Sequence, residues 1–201
     1  MKTNDRTSKL FKEILGWIEA IVFAVMLALL IRGFVFETVY VDGSSMERTL
    51  SDGNRLFLYK AGYFFSTPKR GDMIVLQVEE GTIRFLPFIK NINFVKRAIP
   101  GLDETDYIKR VIALPGEEVD IRNGNVFING ERLVEPYVEE GITRSGSIKL
   151  PQKVEKNKVF VLGDNRQNSR DSREIGLIDL NKIRGKAVFR IWPLNELGSV
   201  Y

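Results

Sequence analysis

The chain has 201 residues, with 30 Lys and Arg against 26 Asp and Glu and a net charge of +4. This length suits one domain of catalytic size plus a small extra segment. The net positive charge is mild and is equally compatible with binding to an anionic membrane surface and to nucleic acid. Cysteine and histidine are both absent, which excludes disulfides, thiolate or imidazole metal sites, and Ser-His or Cys-His catalysis. Any general base must therefore be Lys, Asp, Glu, Tyr or a terminal amine.

The first 36 residues divide into a basic tail, 1–13, and an apolar segment, 14–36. From Trp17 to Phe36 the segment would form a helix about 30 Å long, enough to cross a bilayer core. The exit from Arg32 to Glu37 is bulky and lacks the small-x-small site of a cleavable signal peptide. We therefore predict an uncleaved transmembrane anchor; a signal peptide and a buried core helix are the alternatives. The basic tail places the N-terminus in the cytoplasm and residues 37–201 outside.

Residues 37–201 show short β-like runs separated by turn residues, and a short helix is predicted only at 179–183. This pattern predicts a mainly β fold, with a folded or barrel-like set of sheets rather than a βαβ array. Asn123-Gly124 lies between two alternating runs and predicts a tight hairpin. The predicted strands are 35–41, 55–59, 73–78, 107–114, 118–122, 126–129, 158–162 and 187–192.

Aromatic and basic residues alternate without a clear strand period between residues 81 and 101. Phe beside Lys and Arg favours the membrane interface, so Phe85, Phe88 and Phe94 are candidates for contact with lipid. The alternative is a hairpin packed on the core of the domain itself.

Ser45 lies about nine residues beyond the apolar segment, and so close to the outer membrane face. A serine hydroxyl needs a base to remove its proton, and a lysine can act as that base only when neutral. The pKa of such a lysine must fall by about 2.4 units from about 10.4 for half of it to be neutral at pH 8. Lys109 shares a strand face with Tyr107 and Val111 while Arg110 faces away, so burial there would supply this shift. The alternative is a solvated strand lysine.

A third stretch, 163–173, is dense in hydrogen-bonding groups. Its Gly-Asp-Asn start and Asp-Ser-Arg end suit a rigid loop bonded to itself, with a solvated surface loop as the alternative. These three stretches, in this order and spacing, resemble the bacterial type I signal peptidases of family S26. The motifs that carry the resemblance are Ser45-Met46 with Thr49-Leu50, Tyr107-Ile108-Lys109-Arg110 with Leu114-Pro115-Gly116, and Gly163-Asp164-Asn165-Arg166 with Ser169, Asp171, Ser172 and Arg173.

The resemblance implies a signal-peptidase-like catalytic domain of coiled antiparallel sheets with one N-terminal transmembrane helix. It implies that Ser45 is the nucleophile, that Lys109 is the general base and that Ser169 orients the lysine amine. The backbone N–H of Ser45 would bind the oxyanion. Gly43 stands where some members carry a serine, so this chain resembles the Gram-positive type, in which a backbone N–H serves instead. Four residues would brace the site from behind: Asp164, Arg166, Asp171 and Arg173.

The resemblance also implies cleavage of exported preproteins after a small-x-small, Ala-x-Ala-like site. The peptide would lie extended between the segment at Asp42 and the strand that begins at Asp106. The pocket for the residue before the cut would be lined by Val41, Met46, Leu50, Tyr107 and Ile108. Arg48 departs from the family, which usually has proline at this position, and this puts the rigidity of the turn in doubt.

The expected partners are preprotein signal peptides and membrane lipid, and the protein is expected to act as a monomer. Neither a cofactor nor a metal nor a nucleic acid is implied. A non-catalytic assembly factor on the same fold is the alternative function, although such a protein would be expected to have lost Ser45 or Lys109. A self-cleaving Ser/Lys repressor would need a DNA-binding region where this chain has its apolar segment.

Overall fold

A computed structural model describes residues 3–79 and 105–200 of the chain. Its first element is a long helix, α1 (Thr3–Phe34), of 32 residues and about 48 Å. Within α1 the stretch Phe11–Phe34 is long and apolar enough to cross a membrane, and it lies outside the folded core. The helix begins inside the predicted tail and ends two residues before Phe36, because Phe36 already pairs with the second strand. The segment 81–101 lies outside the described residues.

The rest of the described chain is built mainly of antiparallel strands, which confirms the predicted mainly β fold with an N-terminal apolar helix. Two one-turn helices, α2 (Gly62–Phe65) and α3 (Ser172–Ile175), and two 3-10 turns, Leu180–Lys182 and Leu194–Glu196, interrupt them. The strands are β1 (Phe36–Tyr40), β2 (Arg55–Tyr59), β3 (Met73–Glu79), β4 (Thr105–Ala113), β5 (Glu118–Arg122), β6 (Asn125–Ile128), β7 (Glu131–Arg132), β8 (Gln152–Lys153), β9 (Lys158–Leu162), β10 (Ile178–Asp179), β11 (Ile183–Trp192) and β12 (Gly198–Ser199).

The strands form two sheets. The larger has the order β1-β2-β11-β3-β4-β9-β10, with β12 beside β11, and the smaller has the order β7-β6-β5-β8. The predicted hairpin joins β5 to β6. Asn123 and Gly124 have φ values of 49° and 77°, as a two-residue hairpin turn requires.

The predicted helix at 179–183 is only partly right. Asp179 belongs to β10 and pairs with Lys158 of β9, and only Leu180–Lys182 forms a 3-10 turn before β11 begins. Four strands of two residues each, β7, β8, β10 and β12, were not predicted. A strand of this length is too short to show an alternating pattern, so only its pairing partner reveals it.

Among the described residues three apolar clusters form the core, and β4 contributes to each of them. Ile108 packs against the cluster beneath the Ser45 turn, Val111 belongs to the cluster around β3 and β9, and Ile112 belongs to the cluster shared with the smaller sheet. Strand β4 is therefore fixed from several directions by close packing. It carries Lys109, so the core itself holds that side chain in place.

Candidate active site

Ser45 and Lys109 meet directly, although 64 residues separate them in the chain. Lys109 Nζ donates to Ser45 Oγ over 2.8 Å and to the carbonyl oxygen of Ile108 over 3.0 Å. Ser45 begins a tight turn in which the N–H groups of Thr49 and Leu50 both donate to the carbonyl of Met46. The hydroxyl is thus held by the turn, and the amine by the strand β4.

Lys109 is buried, with 3% of its surface exposed. Burial is the largest influence on its pKa and lowers it from 10.5 to about 8, while the negative charges of Asp171 and Asp164 raise it in part. The ring of Tyr107 lies 5.1 Å from Nζ. Desolvation therefore leaves a large fraction of this amine neutral near pH 8, as a general base requires.

Gly163 is the point where the loop 163–173 meets the Ser45 turn. Its N–H donates to Asp171 Oδ2 over 3.0 Å, and its carbonyl accepts from Arg166 Nε over 3.0 Å. A methyl group on its Cα would lie 2.2 Å from Ser169 Oγ and 2.5 Å from the carbonyl oxygen of Ser45. Only glycine allows this approach of loop to turn.

Asp164 joins the same loop to both other motifs. It accepts from Arg110 Nε over 2.8 Å and from Arg110 Nη2 over 2.6 Å, and it accepts from the Thr49 hydroxyl over 2.6 Å. The Arg110 guanidinium also lies 4.0 Å from the ring centre of Tyr137. Arg110 faces away from Lys109, as the strand alternation predicts, but its role as the buried partner of Asp164 was missed.

The other two bracing pairs are also buried. Arg173 donates to both oxygens of Asp171 over 2.8 Å and to the backbone carbonyl of Arg166 over 2.8 Å. Arg166 forms a two-point contact with Glu135, at 3.0 and 2.5 Å. Glu135 was not anticipated, because nothing near it in the sequence marks it as a partner for a distant arginine. The four residues predicted to brace the site thus lie in one internally bonded loop.

Ser169 differs from its prediction. Its Oγ lies against Gly163 and is buried, yet within the described part of the chain it has no hydrogen-bond partner. The predicted bond to Lys109 is not formed, because the amine uses the carbonyl of Ile108 and the hydroxyl of Ser45 instead. A buried hydroxyl without a hydrogen-bond partner destabilises the folded state. Ser169 Oγ is therefore available for a hydrogen bond that is not formed in this structure.

A cleft of about 290 Å³ opens beside Ser45 and Lys109. Asn168, which was not predicted as a site residue, donates from Nδ2 to Ser44 Oγ over 2.6 Å at this cleft. The N–H of Asn165 donates to the carbonyl of Ser45 over 3.0 Å. The cleft is lined by Asp42, Gly43, Ser44, Ser45, Tyr107, Lys109, Asn168 and Arg170.

The residues predicted to line the pocket fall into two groups. Tyr107 lines the cleft, whereas Met46, Leu50 and Val41 are 1%, 0% and 4% exposed and form an apolar cluster against which Ile108 packs. These three side chains do not line the cleft, because the turn folds them into the apolar core beside it.

Two further predicted site residues have partners within the protein. The Asp106 carboxylate pairs with Arg184. The N–H of Gly43, a candidate for the oxyanion, donates to Asp52 Oδ1 over 2.9 Å.

Arg48 lies within the Ser45 turn and has a φ of 83°. Proline holds φ near −65°, so this backbone cannot accommodate the residue that the family usually has here. The guanidinium of Arg48 reaches Glu139 at 3.0 Å on the surface. The turn therefore lacks the rigidity that proline would give it, and its backbone conformation at Arg48 differs from the one that proline would impose.

Strand β4 has an open edge next to the cleft. Its pairing with β9 begins at Arg110, so residues 105–109 have a strand neighbour only on the β3 side within the described chain. Across the ranges 3–79 and 105–200, no group of three or more Asp and Glu side chains is placed to hold a metal ion.

The comparisons with known proteins point to one family. A family model described as signal peptidase, peptidase S26, matches residues 14–192. The signal peptidase I of Bacillus licheniformis is 37% identical over 204 residues, covering 98% of this chain and 96% of the relative. The signal peptidase I T of Bacillus subtilis strain 168 is 39% identical over 207 residues, covering 96% and 95%.

Among solved structures, a signal peptidase I from Enterococcus faecalis V583 aligns with 28% identity and a TM-score of 0.42. The alignment covers 60% of this chain and 97% of that one. The family model spans all three motifs and the two Bacillus relatives match almost the full chain, so this chain belongs to the signal peptidase family, peptidase S26.

Proposed function

We propose that this chain is a membrane-anchored serine endopeptidase that removes N-terminal signal peptides from exported preproteins. In this proposal Ser45 is the nucleophile and Lys109 is the general base. The observation that carries it is the 2.8 Å contact between Lys109 Nζ and Ser45 Oγ, in surroundings that lower the lysine pKa to about 8.

In the first chemical step the neutral amine of Lys109 takes the Ser45 proton while Oγ attacks the scissile carbonyl. The ammonium then gives that proton to the leaving amine, and the peptide bond breaks to leave an ester on Ser45. Water, deprotonated by the same lysine, then attacks the ester carbonyl. The bond between that carbon and Ser45 Oγ breaks, the Lys109 ammonium returns its proton to Oγ, and the new carboxylic acid leaves and ionises in water. The backbone N–H of Ser45 would stabilise the oxyanion in both steps. Gly43 could add its N–H only after releasing Asp52.

The bracing residues act in this proposal by fixing the base and the turn. Asp164, Arg166, Asp171 and Arg173 are engaged in ion pairs at the back of the site, so they would hold the loop against Ser45 without touching substrate. The Ser169 hydroxyl would accept a hydrogen bond from the Lys109 amine in place of the Ile108 carbonyl, while the amine keeps its contact with Ser45. This role uses the bonding capacity that the buried Oγ still has.

The substrate would bind as an extended strand along the open edge of β4. Residues 105–109 offer backbone groups there, and Asp42 and Gly43 also line the cleft. Backbone pairing gives affinity in this mode, and small pockets select side chains. The apolar cluster of Val41, Met46, Leu50 and Ile108 lies beneath the cleft, which suits a small residue before the cut.

The proposed topology has residues 1–13 in the cytoplasm, an anchor over 14–36 and a peptidase domain over 37–201 outside. The apolar stretch of α1 and the excess of positive charge in the tail support it. The domain would act as a monomer, without nucleic acid, and would also contact lipid. Exposed aromatic side chains on β1, β2 and β11, of which Phe36 is next to the end of α1, support the lipid contact. They are Phe36, Tyr40, Phe57 and Trp192.

The test is cleavage of a preprotein with an Ala-x-Ala site, in detergent, by wild type, Ser45→Ala and Lys109→Met. The wild type should cut after the second Ala, and both variants should be inactive although their thermal unfolding shows a folded domain. N-terminal sequencing of the product identifies the bond. A folded wild type that cuts no such preprotein would favour the non-catalytic assembly factor, and an active Lys109→Met variant would refute the proposed base.

A further inference from the structure

A chain of four alternating charges runs from the end of the membrane helix to the strand that carries Lys109. Lys60 Nζ lies 2.6 Å from Glu37 Oε2, and Glu37 Oε1 lies 3.1 Å from Arg184 Nη2. The other end of the Arg184 guanidinium pairs with Asp106, three residues before Lys109 on β4. Lys60 and Glu37 are almost fully buried, so water screens their pairing little.

Lys60 fixes the junction between α1 and β1. Its backbone N–H donates to the carbonyl of Val35 over 2.9 Å, and its ammonium donates to the carbonyl of Gly33 over 3.4 Å. Gly33 is in the last turn of the helix, where carbonyls lack partners within the helix and a positive charge is favourable. Only Val35 separates the helix from the first strand, so the two cannot swing freely.

Arg184 connects strands that are not neighbours. In the sheet, β1 and β4 are separated by β2, β11 and β3, which in a flat sheet would place them about 19 Å apart. A single guanidinium on β11 nevertheless contacts Glu37 on β1 and Asp106 on β4. The sheet is therefore coiled so that the strand after the membrane helix approaches the strand at the active site.

We propose that Lys60, Glu37 and Arg184 are positioning residues that lock the membrane helix to strand β4 and so hold Ser45 at a fixed height above the bilayer. The inference rests on the proposed function, because a fixed height matters only if the substrate enters from the membrane. Buried ion pairs give little net stability, since desolvation offsets their attraction, but their directional contacts define a geometry. An apolar contact of equal size would allow the helix to pivot.

The first experiment measures the geometry without using activity. The chain has no cysteine, so Lys12→Cys and Lys156→Cys give two unique sites for spin labels, one on the helix and one on an exposed loop of the domain. Pulsed electron paramagnetic resonance in nanodiscs should give a narrow distance distribution for this protein. Adding Lys60→Met or Glu37→Gln should at least double its width. Glu140→Gln, which breaks an exposed pair with Arg132, is the control and should leave it unchanged.

The two substitutions differ in what they leave behind. In Lys60→Met, Glu37 retains Arg184, so the remaining charges stay paired. In Glu37→Gln, Arg184 retains Asp106, but the buried Lys60 ammonium loses its carboxylate and keeps the Gly33 carbonyl, so thermal unfolding must first show that this variant is folded. An unchanged width in both folded variants would overturn the proposal.

The second experiment compares two substrates of the full-length enzyme in the same vesicles. One is a membrane-inserted preprotein, and the other is a short soluble peptide with the same cleavage site. Both variants should cut the peptide within about twofold of wild type but process the preprotein at least about tenfold more slowly, since a full 1 Å misplacement can cost about a hundredfold. The cleavage site of the preprotein is then moved away from its hydrophobic segment in steps of two residues. The processing rate should show a sharp optimum with distance for wild type and a broad optimum for the variants.

An equal loss on both substrates would mean that the charges serve only stability and would overturn the proposal. Failure of the wild type on both substrates would instead refute the proposed function, while the label distances would still decide whether the charges fix the helix.

Discussion

Among single residues, Lys109 should determine how activity depends on pH. Burial lowers the pKa of its amine to about 8, and only the neutral amine can take the Ser45 proton. We therefore expect kcat/KM for a soluble peptide to rise with pH through a midpoint near 8 and then to level off. A value that stays flat from pH 6 to 10 would contradict this assignment of the base.

The same pKa predicts an effect on stability. Below about pH 8 both the folded and the unfolded chain hold the Lys109 proton, and burying the ammonium then opposes folding. Between about pH 8 and 10.5 only the unfolded chain holds the proton, so the free energy of unfolding rises with pH. The shift from 10.5 to about 8 corresponds to roughly 3 kcal/mol.

Replacing Lys109 by Met should consequently stabilise the protein at pH 6 by up to about 3 kcal/mol, and the gain should disappear as pH rises towards 10.5. Chemical denaturation at pH 6, 8 and 10 measures it. Lys156→Met removes an exposed lysine and is the matched control, for which we expect no such trend. A gain that is the same at every pH would come from apolar packing rather than from the lost charge.

Arg48 offers a test of the turn behind the nucleophile. A side chain at a φ of 83° costs about 1–2 kcal/mol, which glycine avoids. We expect Arg48→Gly to keep activity and to raise the free energy of unfolding by up to about 1 kcal/mol. Arg48→Pro should lower both activity and stability, because the ring cannot adopt this φ. Higher activity of Arg48→Pro would show that the turn takes the other conformation.

Among the structural elements, the loop 163–173 depends on its first residue. A Cβ at position 163 would overlap both Ser169 Oγ and the carbonyl of Ser45, so Gly163→Ala should push the loop away from the nucleophile turn. We expect kcat/KM to fall about a hundredfold, the scale of a 1 Å displacement in an active site. Gly198→Ala adds the same methyl group where nothing lies within 4 Å, and it should behave as wild type.

Circular dichroism and thermal unfolding of both variants separate a displaced loop from an unfolded domain. Equal activity of the two alanine variants would mean that the loop does not need its contact with Ser45.

The sequence was informative where the pattern is local or the residue type is rare. Alternation located the strands of four residues or more, although β11 begins at Ile183 and only 187–192 was predicted. Asn123-Gly124 located the hairpin, because such a turn follows from backbone geometry. With histidine absent, few bases remained for Ser45, and Lys109 does lie beside it. Pairings across the fold could not be predicted. Arg110 with Asp164 and Arg166 with Glu135 join residues 54 and 31 positions apart, and only the folded chain brings them together.

Across the whole molecule, one face of the larger sheet carries several exposed aromatic side chains. Phe36 lies two residues beyond α1, and Tyr40 of β1 and Trp192 of β11 both pair with Arg55 of β2, so these side chains share one exposed face. Aromatic side chains of this kind favour the membrane interface. We therefore expect the domain to bind the lipid surface through this aromatic face.

The chain contains two tryptophans, Trp17 in the helix and Trp192 on this face. With Trp17→Phe, the fluorescence of Trp192 should be quenched by lipids brominated near the headgroup and less by lipids brominated deep in the chain. With Trp192→Phe, the remaining Trp17 reports on the anchor and serves as the positive control. A Trp192 signal that no brominated lipid quenches would place this face in water.

The proposed binding of substrate along the open edge of β4 has a consequence for the range of sequences that such an enzyme can process. An edge of backbone N–H and C=O groups binds features that every peptide has, so most residues of a bound segment can vary freely. Selectivity then rests on chain conformation and on the small residues near the cut. A peptidomimetic with N-methylated amides along this edge should lose affinity even when all its side chains are ideal, whereas an extended backbone with few side chains should make a good starting inhibitor.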